Sequence, residues 1–102
     1  MGQIIENTAW VYVVVQNPGQ QENILGQRDD ALDITFIPVF KDRDTAQQGV
    51  LHLVKQPGLS LEIQAIIFED LTRYAVQGGF LLFLLDGTGQ IVTKMSPDGQ
   101  PL

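Results

Sequence analysis

The side chains best suited to chemistry in this sequence are two clusters of carboxylates. Asp29, Asp30 and Asp33 form the first cluster, and Asp42 and Asp44 form the second. Carboxylate oxygens suit hard cations. However, neither cluster has the glycine at the turn and the closing glutamate of a calcium loop. We therefore expect the first cluster to form a turn and the second to cap a helix.

Other routes to catalysis find little support in the residue types present. His52 is the only histidine, so a two-histidine metal site is excluded, and no serine or threonine occupies an obvious partner position. Gly87-Thr88-Gly89 lacks the third glycine, the following helix and the Lys-Ser/Thr pair of a phosphate-binding loop, so we predict a turn. The absence of cysteine excludes disulfides, zinc–thiolate sites and thiol catalysis. The sequence predicts no catalytic residues, no metal and no cofactor.

Length and charge narrow the remaining function classes. The 102 residues suit a single domain, and 44% hydrophobic with 18% charged residues is ordinary globular composition. The net charge of −6 argues against nucleic acids and anionic membranes as partners, and it suits either simple solubility or a basic protein partner. The N-terminus has no signal-peptide pattern, and the apolar runs are too short to span a bilayer, so a cytoplasmic location is expected.

A strand followed by a capped helix forms the centre of the predicted fold. Residues 34–39 are apolar on both faces, which is typical of a strand covered on both sides. Pro38 has no N–H, so the strand is at an edge there, or bulged, or its amide side is unpaired. Asp42 or Asp44 caps the next helix, and Asp44 with Gln47 fits a reciprocal capping pair. The predicted inner face of this helix, which ends at Pro57-Gly58, comprises Ala46, Val50, Leu51, Leu53 and Val54.

The remaining elements follow from alternation, apolar runs and turn residues. Strands are predicted over 9–15, 59–66, 80–85 and 90–94, and a weaker strand or extended loop over 23–28. A second helix is predicted over 69–77, with Ile67, Leu71, Tyr74 and Ala75 on its inner face. The order is β-β-β-α-β-α-β-β. This predicts an α+β fold with a mixed, mostly antiparallel sheet and two short helices packed on it. Residues 1–8 are expected to be a flexible leader, 9–94 the domain and 95–102 a tail.

Four residues are candidates for contacts with a partner protein. Trp10 and Tyr12 lie two apart and share one strand face, while Tyr74 lies on the inner side of the second helix. Core packing explains all three, but tryptophan and tyrosine also dominate interface hot spots. Pro38 joins them because a proline at an open strand edge marks a place where another strand can pair.

The segment from Phe36 to Ala46 resembles the core of SseB-like proteins, of the N-terminal domain type. There, a strand with a Pro-hydrophobic-Phe sequence leads through a short polar cap into a helix. The earlier strand over 11–15, the acidic stretch over 40–44 and the helix and strand over 71–85 are also similar, so the resemblance covers about residues 9–94. Asp86-Gly87 stands where the family has Asn-Pro. The resemblance implies an α+β fold without established catalytic residues. One branch is associated with rhodanese-like sulfurtransferase activity, which a chain without cysteine could at most modulate.

Three hypotheses for function remain open at this point. The first is a small cytosolic interaction or regulatory module without catalysis, which could form a homodimer through an open edge. The second is an acidic inhibitor, of the immunity or antitoxin type, directed at a basic enzyme. The third is a small-ligand binder or enzyme that uses carboxylates or His52. The first is favoured, because no nucleophile with a base, no metal set and no phosphate loop is recognisable.

Overall fold

The computed structural model describes residues 5–102 and confirms the predicted α+β class and element order. The one addition is that the weak predicted strand over 23–28 is two short strands. The elements are β1 (Trp10–Gln16), β2 (Asn23–Ile24), β3 (Gln27–Asp29), β4 (Ile34–Val39), α1 (Arg43–Gly49) with a 3₁₀ turn (Val50–His52), β5 (Leu61–Ile67), α2 (Phe68–Gly78), β6 (Leu81–Leu85) and β7 (Ile91–Met95).

The strands form two sheets that a single bridge connects. One sheet has the order β2-β1-β5, and the other has the order β3-β4-β6-β7. β4 and β6 are parallel and every other pair is antiparallel, as expected for a mixed, mostly antiparallel arrangement. Tyr12 and Phe40 exchange two backbone hydrogen bonds of 2.9 Å, which join β1 to the end of β4. Strand β1 therefore links the two sheets into one continuous surface.

The helices cover opposite faces of this surface, and alternation along each strand explains why. In β1, Val11, Val13 and Val15 pack in the cluster that contains α2, whereas Val14 packs in the cluster that contains α1. β4 and β6 send apolar side chains into both clusters, which confirms that both strands are covered on both sides. Within residues 5–102, neither α-helix has the length and apolar character that crossing a bilayer demands.

The first helix differs from its prediction in length and in its cap. Asp42 is the N-cap and accepts a 2.7 Å hydrogen bond from the Thr45 N–H, so the alternative pairing of Asp44 with Gln47 was wrong. A hydrogen bond from the Thr45 side chain, together with this one from its backbone, lowers the pKa of Asp42. The helix ends at Gly49, well before Pro57.

The early end of α1 removes two residues from its predicted inner face. Leu51 is 75% exposed and Val54 is 80% exposed, whereas Leu53 is buried. The cause is tertiary: after the 3₁₀ turn the chain is extended, and the Gln27 side chain bonds both the N–H and the C=O of Val54 at 2.8 Å. The Gln27 side chain thus holds the Val54 backbone by two hydrogen bonds, as a neighbouring strand would, and the Val54 side chain points to solvent.

Both ends of the described chain are more firmly attached than predicted. Residues 1–4 of the predicted leader lie outside the described residues. The C=O of Asn7 accepts the Glu69 N–H, so the later part of the leader is hydrogen-bonded to the start of α2. Met95, assigned to the tail, is a fully buried residue of β7 that pairs with Pro101. The Leu102 N–H donates to the Lys94 C=O, and this return of the chain covers part of the outer edge of β7.

Candidate interaction edge

The carboxylate clusters serve local structure, as the sequence predicts. Arg28 forms ion pairs with Asp30 and Asp33 in the turn before β4, and Asp29 accepts the Leu32 N–H. Asp86, in the turn between β6 and β7, accepts hydrogen bonds from Thr88, which hold its pKa below the usual value. Among residues 5–102, no three histidine, cysteine, aspartate or glutamate side chains are grouped closely enough to hold a metal ion.

The glycine-containing turn and the histidine also have structural explanations. Gly89 has a φ of 84°, and its N–H bonds the Asp86 C=O, which closes the hairpin between β6 and β7. His52 is exposed, with its Cβ against Gly89. Within the described chain, its imidazole forms no side-chain hydrogen bond to a carboxylate or hydroxyl group.

The four candidate contact residues lie at separate places. Trp10 is 59% exposed at the start of β1, and Tyr12 is half-buried beneath the Arg43 guanidinium, whose carbon is 5.5 Å from the centre of the ring. Tyr74 is half-buried on the opposite face and stacks on Phe80 with 5.9 Å between ring centroids. The structure therefore does not gather them into one aromatic patch.

Pro38 is fully buried and cannot contact a partner, so its assignment as an interaction residue is corrected. It pairs with Phe83 of β6, in the interior of the four-stranded sheet. Phe40 directs its N–H and C=O at β1, so alternation directs the Pro38 nitrogen to the same side. Pairing with β3 ends at Phe36, and the bridge to β1 begins at Phe40. Pro38 therefore lies between the residues of β4 that pair with β3 and the residue that pairs with β1, where no backbone N–H is needed for a hydrogen bond.

The open edge of the sheet is found instead at β5. Within residues 5–102, this seven-residue strand pairs with β1 alone. The other edges are short or covered: β2 has two residues, β3 has three, and the C-terminal segment covers part of β7. Long, uncovered edges are unusual, because they offer a row of backbone groups to other chains.

Hydrogen bonding along β1 determines which groups of β5 face outwards. Tyr12 directs its N–H and C=O at Phe40, which lies on the side of β1 away from β5. Tyr12 and Ala65 are therefore a non-hydrogen-bonded pair, and the N–H and C=O of Ala65 point away from β1. By alternation, Leu61, Ile63 and Ile67 face outwards as well. The Arg43 side chain confirms this geometry, because its Nη1 lies 3.4 Å from the Ile63 carbonyl oxygen. The outer N–H groups at Leu61, Ala65 and Ile67 have no backbone partner in the part of the chain that the structure describes.

A groove lies on each face of the three-stranded sheet, and residues of β5 line part of each. The α2-side groove, of about 390 Å³, has an apolar floor of Val13, Val15, Ile24 and Ile66 and a wall formed by Tyr74, with Glu22 and Gln64 also lining it. The α1-side groove, of about 310 Å³, is lined mainly by Val14, Val50, Leu51, Leu61 and Ile63, and Lys55 and Glu62 line it as well. Exposed Leu51, which helix periodicity placed in the core, thus lies next to β5.

The sequence pointed to this strand without revealing its role. Leu61, Ile63 and Ala65 alternate with Glu62 and Gln64, a pattern that predicts a half-buried strand. The half-buried and exposed residues on both faces of β5 show that it is covered on neither side completely. The polar residues Glu62 and Gln64 indicate a partly exposed face, and alternation of this kind does not show which edge of a strand is open.

No protein-family model, no curated protein and no solved structure matches the chain.

Proposed function

We propose that this protein is a cytoplasmic, non-catalytic interaction or regulatory module that binds an extended segment of a partner protein as an additional strand beside β5. The observation that carries the proposal is the row of outward N–H and C=O groups along Leu61–Ile67. In strand addition, main-chain hydrogen bonds give affinity and pockets for alternate side chains give specificity. The two grooves beside β5 supply such pockets on both faces of the sheet.

Arg43 protects this edge in the free protein. Its guanidinium lies over the Tyr12 ring and donates to the Ile63 carbonyl, which is the kind of charged cover that limits association through open edges. The contact is exposed and long for a hydrogen bond, so it gives way at little cost to a partner strand. An incoming strand would replace it with a backbone N–H.

The inhibitor hypothesis uses the same edge with a different partner. An acidic chain of net charge −6 associates rapidly with a basic enzyme, and a strand inserted at β5 could belong to such an enzyme. The relationship to SseB-like proteins also remains a proposal, resting on the residues between Phe36 and Ala46. The ligand-binding hypothesis has less support, because His52 lines neither groove beside β5.

Replacing Ala65 by proline is expected to weaken partner binding strongly while leaving the fold intact. The Ala65 N–H faces outwards, so proline removes a donor that the partner needs and none that β1 uses. The variant loses this hydrogen bond, and the proline ring occupies the space of the partner's backbone. Binding should therefore weaken by at least about tenfold. The matched control is Ala65→Thr, which keeps the N–H and suits a strand.

The measurement is recovery of bound proteins from the lysate of the native cells, with wild type and both variants side by side. A partner retained in equal molar amount by wild type and Ala65→Thr, and lost from folded Ala65→Pro, supports strand addition. Equal retention by Ala65→Pro would place the binding surface elsewhere. Recovery of the bait alone from every sample would count against an interaction module.

A further inference from the structure

The charges beside β5 differ between its two faces. On the α2 side, Glu62 is exposed, and its carboxylate accepts a hydrogen bond of 2.9 Å from the Gln64 amide. Glu22 lines the α2-side groove, and no lysine or arginine of the described chain does so. Glu62 itself lines the α1-side groove, together with Lys55. The ion pairs found within residues 5–102 involve neither carboxylate. Glu22 and Glu62 are therefore two carboxylates near apolar surface that form no ion pair within the described chain.

The geometry of an added strand determines which partner side chain would meet each of these groups. A strand that pairs antiparallel with β5 places one residue opposite each residue from Leu61 to Ile66, with side chains alternating between the faces. The residue opposite Glu62 lies on the α2 side. The residue opposite Ile66 lies on that side too, near the apolar floor of the groove. The residues opposite Leu61 and Ile63 lie on the α1 side, where exposed Leu51 extends the apolar surface.

We propose that the strand bound at β5 is a cationic segment of a partner protein, with a lysine or arginine opposite Glu62 and apolar residues opposite Leu61, Ile63 and Ile66. This inference rests on the proposed function and names the chemistry of its ligand. Opposite charges on directly paired residues stabilise an antiparallel sheet, and like charges there destabilise it. The net charge of −6 also attracts a cationic segment over longer distances.

A second copy of this chain fits the edge less well. Pairing all seven residues of two β5 strands about a two-fold axis places Gln64 opposite Gln64 and Ile66 opposite Glu62. The strand contains no basic residue in its sequence Leu-Glu-Ile-Gln-Ala-Ile-Ile, so no register of two copies gives Glu62 a cation. Two chains of net charge −6 also repel each other at low ionic strength.

The test uses two synthetic peptides that differ in one charge. Both contain Val-Thr-Thr-Val-X-Val between Gly-Ser flanks, with blocked ends, where X is lysine in one and glutamate in the other. Paired antiparallel from Ile66 back to Leu61, X falls opposite Glu62. Dissociation constants come from amide shifts of the whole protein at low salt, and slowed hydrogen exchange at Ala65 reports pairing at the edge.

Wild type is expected to bind the lysine peptide about two- to fivefold more tightly than the glutamate peptide. Glu62→Lys should reverse this preference. Asp30→Lys is the matched control, because it changes the net charge equally in the exposed turn after β3, where Arg28 pairs with Asp30. It should leave the preference for lysine in place.

Each other outcome overturns the inference in a distinguishable way. If both peptides bound equally and slowed hydrogen exchange at Ala65, strand addition would be supported and the preference for a cationic segment would be wrong. If Asp30→Lys weakened the preference for the lysine peptide as much as Glu62→Lys does, the preference would arise from net charge alone. Binding of neither peptide by a chain that dimerises through β5 would make a second copy the occupant. Binding of neither by a monomeric chain would overturn the proposed function as well.

Discussion

Replacing Phe40 by alanine is expected to lower the free energy of unfolding by about 3–5 kcal/mol, the range for removing a buried phenylalanine. Phe40 is fully buried in the cluster beneath α1, and its backbone makes both hydrogen bonds that join the two sheets. A cavity here lies where the sheets meet, so neither can move to fill it without straining the bridge to Tyr12. Urea unfolding followed by circular dichroism measures the loss.

Two further variants keep this prediction testable if Phe40→Ala does not fold. Phe40→Leu preserves much of the volume and should cost less than about 1.5 kcal/mol. Leu51→Ala removes a large apolar side chain from a site that is 75% exposed, so its effect should stay within about 0.5 kcal/mol. A Phe40→Ala protein as stable as Leu51→Ala would show that the two sheets do not depend on this contact.

Replacing Gly49 by alanine is expected to destabilise the protein by about 2 kcal/mol, although alanine is the better helix former. The backbone there is helical, with a φ of −68°, so the gain in helix propensity would be at most about 1 kcal/mol. An added Cβ would lie 2.2 Å from Cε1 of Phe40 and 3.2 Å from the Asp86 carbonyl oxygen. Overpacking of this kind costs up to about 3 kcal/mol, and the fully buried ring has no free space to move into.

A neighbouring substitution and a double variant test this cause. Gln47→Ala adds helix propensity at an exposed position of α1 and should leave stability within about 0.5 kcal/mol of wild type. Combining Gly49→Ala with Phe40→Leu should cost clearly less than the sum of the two single variants, since the smaller side chain makes room for the methyl group. Additive losses would contradict a steric origin.

The sequence predicts those features that local pattern determines. The apolar run of β6 is bounded by glycine and aspartate, and a central strand results. The Asp86-Gly87 turn and the inner face of α2 around Leu71 and Ala75 follow equally from short-range rules. In each case the residues that determine the structure are close together in the chain.

The features that sequence reasoning missed depend on distant neighbours. The end of α1 depends on contacts of Gly49 with Phe40 and of Val54 with Gln27, which no helical periodicity encodes. For Pro38, the absent N–H allowed three explanations, and only the strand pairing shows that β4 changes neighbours there. Alternation predicted the strand over 59–66, but which of its two edges would remain open depends on where β1 pairs.

The most direct test of the account is residue-by-residue hydrogen exchange along β5 in dilute solution. We expect alternation: the amides of Glu62, Gln64 and Ile66, which face β1, should exchange slowly, and those of Leu61, Ala65 and Ile67 should exchange much faster. Such a pattern would establish an edge that is free to accept a strand. Slow exchange at all seven residues of a monomeric protein would show that the edge is already covered, and the proposed mode of binding would be wrong.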